Sequence, residues 1–263
     1  MNPVKITDLH CEQTSCYVEL SENQLKHFYE PEEGVFIAES EKVIRRALDG
    51  GYQPLSFLVS EDRLKTLDPG LFGEGVPVYS AAESLLHDML GYELTGGLLS
   101  LMRRRRMPDV AGIVSGARRV VVICDVQNPT NVGAIFRNAA GLGMDAVIVT
   151  KGSCDPLYRR SARVSMGTVF QIPWTYGGDG WISALKDGGF KLAAMALEER
   201  SVELGDPAVS SQERLAVVLG NEGYGLPAQT VAQCDYCVRI PMSHGVDSLN
   251  VAAASAVAFW ELQ

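Results

Sequence analysis

The sequence predicts an α/β protein of two domains, the second built on a largely parallel sheet. Three observations carry that reading: strand and helix patterns alternate along the chain, the charge changes character near residue 102, and 263 residues exceed one ordinary domain. At 46% hydrophobic and 21% charged, the composition is that of a chain with a full buried core, which excludes disorder and collagen-like repeats. The net charge of −9, taken whole, speaks against a nucleic-acid partner, because phosphate binding relies on Lys and Arg displacing counterions. Its distribution weakens that inference. Residues 1–102 hold 7 Lys and Arg against 17 Asp and Glu, whereas residues 103–263 hold 16 against 15. Residues 1–102 are therefore expected as a small α/β domain, 103–117 as a linker that opens on Arg103 to Arg106 and Pro108, and 118–263 as a second domain.

In the first part, Gly34 to Ala38 reads as a short buried strand and Glu39 to Leu48 as a helix closed by Gly50 and Gly51. Leu55 to Ser60 and Val76 to Tyr79 read as further strands. In the second part, Arg119 to Asp125 is an unbroken apolar run of the kind buried on both sheet faces. A helix over Asn131–Leu142, a strand over Ala146–Thr150, and helices near Arg159–Ser165 and Gly180–Lys186 follow. Strands are expected again at Lys191–Leu197, Leu215–Gly220 and Val238–Met242, and a helix over Ser248–Leu262 closes the chain.

No apolar run reaches the ~18 residues of a membrane helix, and the first residues lack the basic and apolar segments of a signal peptide, so a cytoplasmic protein without membrane partners is expected. The six cysteines are sparse and irregularly spaced, which fits reduced thiols. Cys234 and Cys237 have CxxC spacing but no second pair at a zinc-ribbon distance; structural thiols are expected there, and no metal site.

In open α/β sheets ligands sit beyond the carboxyl ends of the strands, so the loops there hold the candidates. The first begins at Asn128, which can cap the next helix with Pro129 in its first turn. On that helix Val132, Ile135, Phe136 and Ala139 share one face, leaving Gly133 and Arg137 on another; a glycine one turn before an arginine removes a side chain that would screen it. The second runs from Leu219 through Gly220, Glu222, Gly223 and Gly225, glycines that let backbone approach a ligand closely. It matches neither GKS/T nor GxGxxG, and Glu222 would repel a phosphate, so a neutral or cationic ligand suits it. The third runs from Ile240 and Met242 through His244 to Ser248, Leu249 and Asn250 and into an alanine-rich helix against which another element can pack closely. Asp247 or Ser248 is the expected cap of that helix; His244 reads either as a hydrogen-bonding spacer or as a catalytic group.

In their order and position these segments resemble the motifs of the TrmH/SpoU group of SPOUT-class RNA ribose 2′-O-methyltransferases. The matching residues are Asn131-Val-Gly-Ala-Ile-Phe-Arg-Asn-Ala139, Leu219-Gly-Asn-Glu-Gly-Tyr-Gly-Leu226, and Ile240-Pro-Met with Ser248-Leu-Asn-Val251. Arg163-Val-Ser-Met-Gly167 is similar to the family's middle segment, and Phe36 to Ala47 to the start of its small ribosomal-protein-like substrate domain. The resemblance implies a SPOUT-type parallel sheet with a C-terminal trefoil knot, a homodimer formed through the catalytic domain, S-adenosylmethionine as cofactor and rRNA or tRNA as substrate. It also implies a cofactor against Leu219, Gly220, Ile240, Met242 and Leu249, and a reacting ribose near Arg137 with Asn131, Glu222, Ser248 and Asn250 around it. Arginine is an awkward general base because its pKa lies above about 12, so Arg137 reads as an electrostatic group that holds a phosphate and stabilises the developing alkoxide, with base action as the alternative. Two departures from the family pattern are Ala252, where a small polar residue often follows, and the insert Ser243 to Gly245.

Two other classes of function would leave different residues in these loops. A non-catalytic RNA-binding or assembly protein would keep the fold while losing the intact motif loops. A nucleotide-dependent enzyme such as a dehydrogenase would carry GxGxxG after a strand, which this chain lacks. For the RNA surface, Arg103 to Arg106, Arg118, Arg119, Arg159, Arg160 and Arg163 are the expected cations.

Overall fold

The computed structural model describes residues 2–8, 11–29, 33–90 and 94–263, apart from the side chains of 89, 90 and 95. Among the described residues twelve strands form two sheets: β1 (Val4–Lys5), β2 (Val35–Glu39), β3 (Pro54–Ser60), β4 (Val78–Ala81) and β5 (Leu98–Arg103) make the first. The second contains β6 (Arg119–Ile123), β7 (Ala146–Thr150), β8 (Trp174–Gly177), β9 (Lys191–Met195), β10 (Val202–Glu203), β11 (Leu215–Leu219) and β12 (Tyr236–Arg239).

The first sheet runs in the order β1-β4-β3-β5-β2. β5 lies antiparallel between β3 and β2. The Leu98–Met102 run, just before the expected linker and not read as a strand, is therefore an interior strand, fully buried from Leu98 to Ser100. Its alternation is masked because both faces are covered, and the arginines that follow look like a linker only when the pairing partner, 66 residues upstream for Met102–Phe36, is unknown.

All neighbours in the second sheet are parallel, in the order β10-β12-β9-β11-β6-β7-β8. Val120 to Ile123 and Leu215 to Val218 are fully buried, as an interior strand of a parallel sheet demands. The helix Pro129–Gly141 is capped by Asn128, whose side chain accepts from Thr130 N at 2.9 Å, with Pro129 in the first turn. The C-terminal helix Val251–Leu262 packs on it, and Asn138 Nδ2 donates to Ala252 O (2.8 Å) and to Ser255 Oγ (2.9 Å). The alanines thus admit this neighbour. Asn250, not Asp247 or Ser248, is the cap, accepting from Ala252 N at 3.0 Å.

The chain separates into two compact units, Met1–Arg106 with Leu157–Phe170, and Met107–Pro156 with Gln171–Gln263. The expected linker 103–117 is consumed by the end of β5 and by the helix Val110–Val114, whose Val110 and Val114 sit in the core of the second unit. The detached segment Leu157–Phe170 joins the first unit through charge and aromatic packing. Glu39, fully buried, accepts from Arg163 at 3.0 Å and lies 3.8 Å from Arg159, while Phe170 stacks on Phe36 with centroids 5.7 Å apart. The charge moves with it: the first unit carries 14 Lys and Arg against 17 acids, the second 9 against 15. The acidity that the sequence located before residue 103 is spread over both.

Among the described residues no helix is long and apolar enough to cross a membrane. All six cysteines are free thiols. Cys124 and Cys234 are buried, and desolvation pushes their thiols up to about 11 and about 12. Cys234 donates to Thr230 O at 3.3 Å, which accounts for it without a metal.

Candidate active site

The carboxyl ends of β9, β11 and β12 open onto a cavity of about 570 Å³. Leu219, Gly220, Glu222, Ile240, Met242, Ser248, Leu249 and Asn250, eight of the ten residues singled out from the sequence, line it. The loop after β11 is a closed turn: Asn221 and Gly225 exchange both backbone hydrogen bonds at 3.0 Å. The Asn221 side chain stitches the turn, accepting from Gly223 N at 2.7 Å and donating to Asp125 O at 2.9 Å. Gly220 is obligatory here, since a Cβ would lie 2.7 Å from both Gly225 C and Leu226 N. The glycine thus lets two stretches of backbone touch.

Asn131 and Arg137 do not line the cavity. Asn131 is nonetheless tied to it, because its Nδ2 donates to Glu222 Oε1 and its Oδ1 accepts from Asn250 Nδ2 at 3.3 Å. One buried amide thereby locks the rotamers of two residues from two other motif loops. Arg137 stands six positions on, exposed, with no hydrogen bond or ion pair to its guanidinium among the described residues. Gly133, one turn before it on the same helix, is buried. His244 is exposed in a left-handed conformation (φ 59°), followed by Gly245 (φ 72°), and lies outside the cavity lining. It belongs to a surface turn.

Met195 to Glu198 at the end of β9, which the sequence did not single out, complete the wall together with Tyr224 of the second motif and Asp247, read from the sequence only as a helix cap. The rule that ligands sit beyond strand ends would have found the β9 group. Apolar Leu219, Leu226, Val231 and Val238 floor the cavity, and Glu198, Glu222 and Asp247 contribute three carboxylates against the single guanidinium of Arg239. A cavity of this size with an apolar floor and an acidic rim fits a nucleoside-sized ligand that is neutral or cationic, and disfavours a phosphate. Among the described residues no group of three His, Cys, Asp or Glu could hold a metal ion.

Residues 118–260 match the SpoU rRNA methylase family, a span that contains every one of these groups. The chain belongs to that family. An uncharacterized tRNA/rRNA methyltransferase of Mycobacterium tuberculosis is 43% identical over 229 residues, covering 86% of this chain and 79% of the relative. A Bacillus subtilis relative, the 23S rRNA (guanosine(2553)-2′-O)-methyltransferase RlmP, is 27% identical over 87% of this chain and 88% of its own length. In fold, the SpoU family chain is similar to the AdoMet-bound rRNA methyltransferase from Sinorhizobium meliloti, with a TM-score of 0.75 at 24% identity over 87% of this chain and 86% of that one. It is likewise similar to the SpoU methyltransferase AviRb from Streptomyces viridochromogenes in complex with AdoMet, with a TM-score of 0.74 at 21% identity over 94% of each. The protein is thus an RNA methyltransferase of the SpoU family.

Proposed function

We propose that this protein transfers a methyl group from S-adenosylmethionine to a ribose 2′-hydroxyl in structured rRNA or tRNA, as a homodimer joined through its catalytic domain. The observation that carries the reading is the chain Asn250–Asn131–Glu222, which joins all three motif loops at the cavity wall. Leu219, Gly220, Ile240, Met242 and Leu249 are the residues to hold the cofactor, with the acidic rim suited to its positive charge. When bound, S-adenosylmethionine supplies an electrophilic methyl on a sulfonium. The protein's part is to hold the hydroxyl in line and to stabilise the alkoxide, because a neutral 2′-hydroxyl is a poor nucleophile. Arg137, permanently charged and without a partner among the described residues, is suited to a phosphate or the developing oxyanion, while Glu222, Ser248 and Asn250 supply polar contacts to the ribose.

The 2′-O specificity is supported by the motif residues and by the activity named for the B. subtilis relative. A trefoil knot over the loops after β11 and β12, and a ribosomal-protein-like RNA-docking role for the first unit, belong to the same proposal. The dimer is supported by an apolar face on the C-terminal helix, where Trp260 is 66% exposed and Val257 is 41% exposed beside alanines. Labelled S-adenosylmethionine incubated with RNA from a deletion strain, followed by nucleoside mapping, tests the reaction. Label in a 2′-O-methylnucleoside is the expected result; a base-methylated product, or none, would overturn it.

A further inference from the structure

The first unit presents one surface that the catalytic reading leaves unused. Phe28 is 45% exposed and Tyr29 37% exposed, and their rings meet edge to face with centroids 4.9 Å apart. Arg103 lies over the Tyr29 ring, its Cζ 5.0 Å from the centroid. Among the described residues no carboxylate pairs with Arg103, and neither its guanidinium nor the Tyr29 hydroxyl makes a hydrogen bond. An exposed aromatic pair costs solvation, and a guanidinium stacked without an anion leaves its charge for a visitor.

The cluster has a firm seat. The preceding helix Glu22–Lys26 starts in a capping box between Ser21 and Gln24 and buries Leu25. Gly34 lies so close behind that a Cβ would fall 2.0 Å from Lys26 O. Arg103 N donates to Gln53 O at 2.9 Å and Arg104 N to Gly34 O at 2.8 Å, so the arginine backbone is fixed on both sides. Two residues on, Arg105 stacks over Tyr52 at 4.5 Å and donates to Gly50 O at 2.6 Å, while the Arg106 side chain is exposed and unpaired among the described residues.

We propose that Phe28, Tyr29 and Arg103 form a platform on which an unpaired RNA base stacks. The inference rests on the reading of the protein as an RNA methyltransferase and specifies what its first unit recognises. The unit carries a small net negative charge, 14 cations against 17 acids, which gives tracking along a duplex backbone little of the overall electrostatic support it requires. Stacking has no such requirement. Every base offers a π-face to an aromatic ring, and a guanidinium adds cation–π attraction and one local contact for phosphate. The platform thereby selects single-stranded loops or bulges within a folded RNA.

The test uses the full-length protein and a short single-stranded oligoribonucleotide carrying a fluorescent adenine analogue, with the same strand annealed to its complement as comparison. Binding is expected to quench the analogue in the single strand and to be weaker for the duplex. The Phe28→Ala/Tyr29→Ala variant is expected to lose about tenfold in affinity per ring. Phe28→Tyr and Tyr29→Phe should retain it, and Arg103→Gln should weaken binding and reduce its salt dependence. If circular dichroism shows the double variant unfolded, Tyr29→Ala and Arg103→Gln singly give the same reading. Unchanged affinity in these variants, or equal binding of the duplex without quenching, overturns the platform. Methyl transfer to total RNA, measured in parallel, separates the two readings: transfer without stacking removes only the platform, and stacking without transfer removes only the reaction.

Discussion

Among the described residues, Arg137 makes no hydrogen bond or ion pair through its guanidinium. It occupies an exposed turn of a helix whose opposite face, Val132, Ile135, Phe136 and Ala139, is fully buried. Its replacement should therefore leave stability within about 0.5 kcal/mol, as for other surface positions. Arg137→Ala is expected to keep its melting temperature while losing about 10²–10³ in the rate of methyl transfer, the scale of removing one oxyanion donor. A melt and a single-turnover assay on the same preparation check both halves, and equal turnover would exclude the role. The cysteines give a second expectation at this scale. With Cys124 and Cys234 raised to about 11 and about 12, the thiolate is the minority form throughout the neutral range, and its fraction grows only as pH climbs toward those values. At pH 8 iodoacetamide should leave both unmodified in the native protein and modify them after denaturation, read by mass spectrometry. Arg137, Asn131 and Glu222 were legible in the sequence as motif residues, but the hydrogen bonds from Asn131 to Glu222 and Asn250 span 91 and 119 positions and have no local signature.

At the scale of elements, the regular strands and helices were read well where periodicity is unambiguous, as in β6, β7 and β11. Boundaries moved by a residue or two, since ends are set by caps and sheet partners. β5 is the strand that the sequence reading left unassigned, a run followed by arginines whose place in the sheet shows only once β3 and β2 flank it. Leu99→Ala, in the centre of β5 and fully buried, should cost about 2–5 kcal/mol as a cavity in the first core, measured by urea unfolding. Asn138 tests the helix pair in the second unit. Its amide crosses to Ala252 and Ser255, so Asn138→Ala should lower stability by about 1–3 kcal/mol while leaving the fold intact. The expected arginine surface is thinner for a related reason. Arg119 spends its guanidinium on the carbonyls of Leu262, Gln212 and Glu213, Arg104 donates to Val35 O, and Arg159 and Arg163 face Glu39. A sequence counts charges without showing which are already engaged.

For the whole molecule, the decisive fact is that Leu157–Phe170 belongs with residues 1–106. A chain beginning at Met107 would strip Phe170 of Phe36 and Tyr52, and Arg163 of its buried carboxylate. Such a fragment should bind a hydrophobic dye and aggregate more readily than the full chain, and a soluble, dye-negative fragment would contradict the division. The proposed dimer has its own readout: Trp260→Glu should halve the mass seen by sedimentation without unfolding the protomer, because Trp260 is outside the monomer's core. The sequence by itself determined the α/β class, the parallel character of the second sheet, the three motif loops and, through them, the family. Those are local properties, carried by hydrophobic period, capping residues and glycines at fixed spacing. Only the tertiary structure decided which residues share a wall, that β5 is interior, and where the charge resides. These depend on contacts between residues far apart in the chain, such as Glu39 with Arg163 or Asn131 with Asn250, and no local pattern encodes their distance.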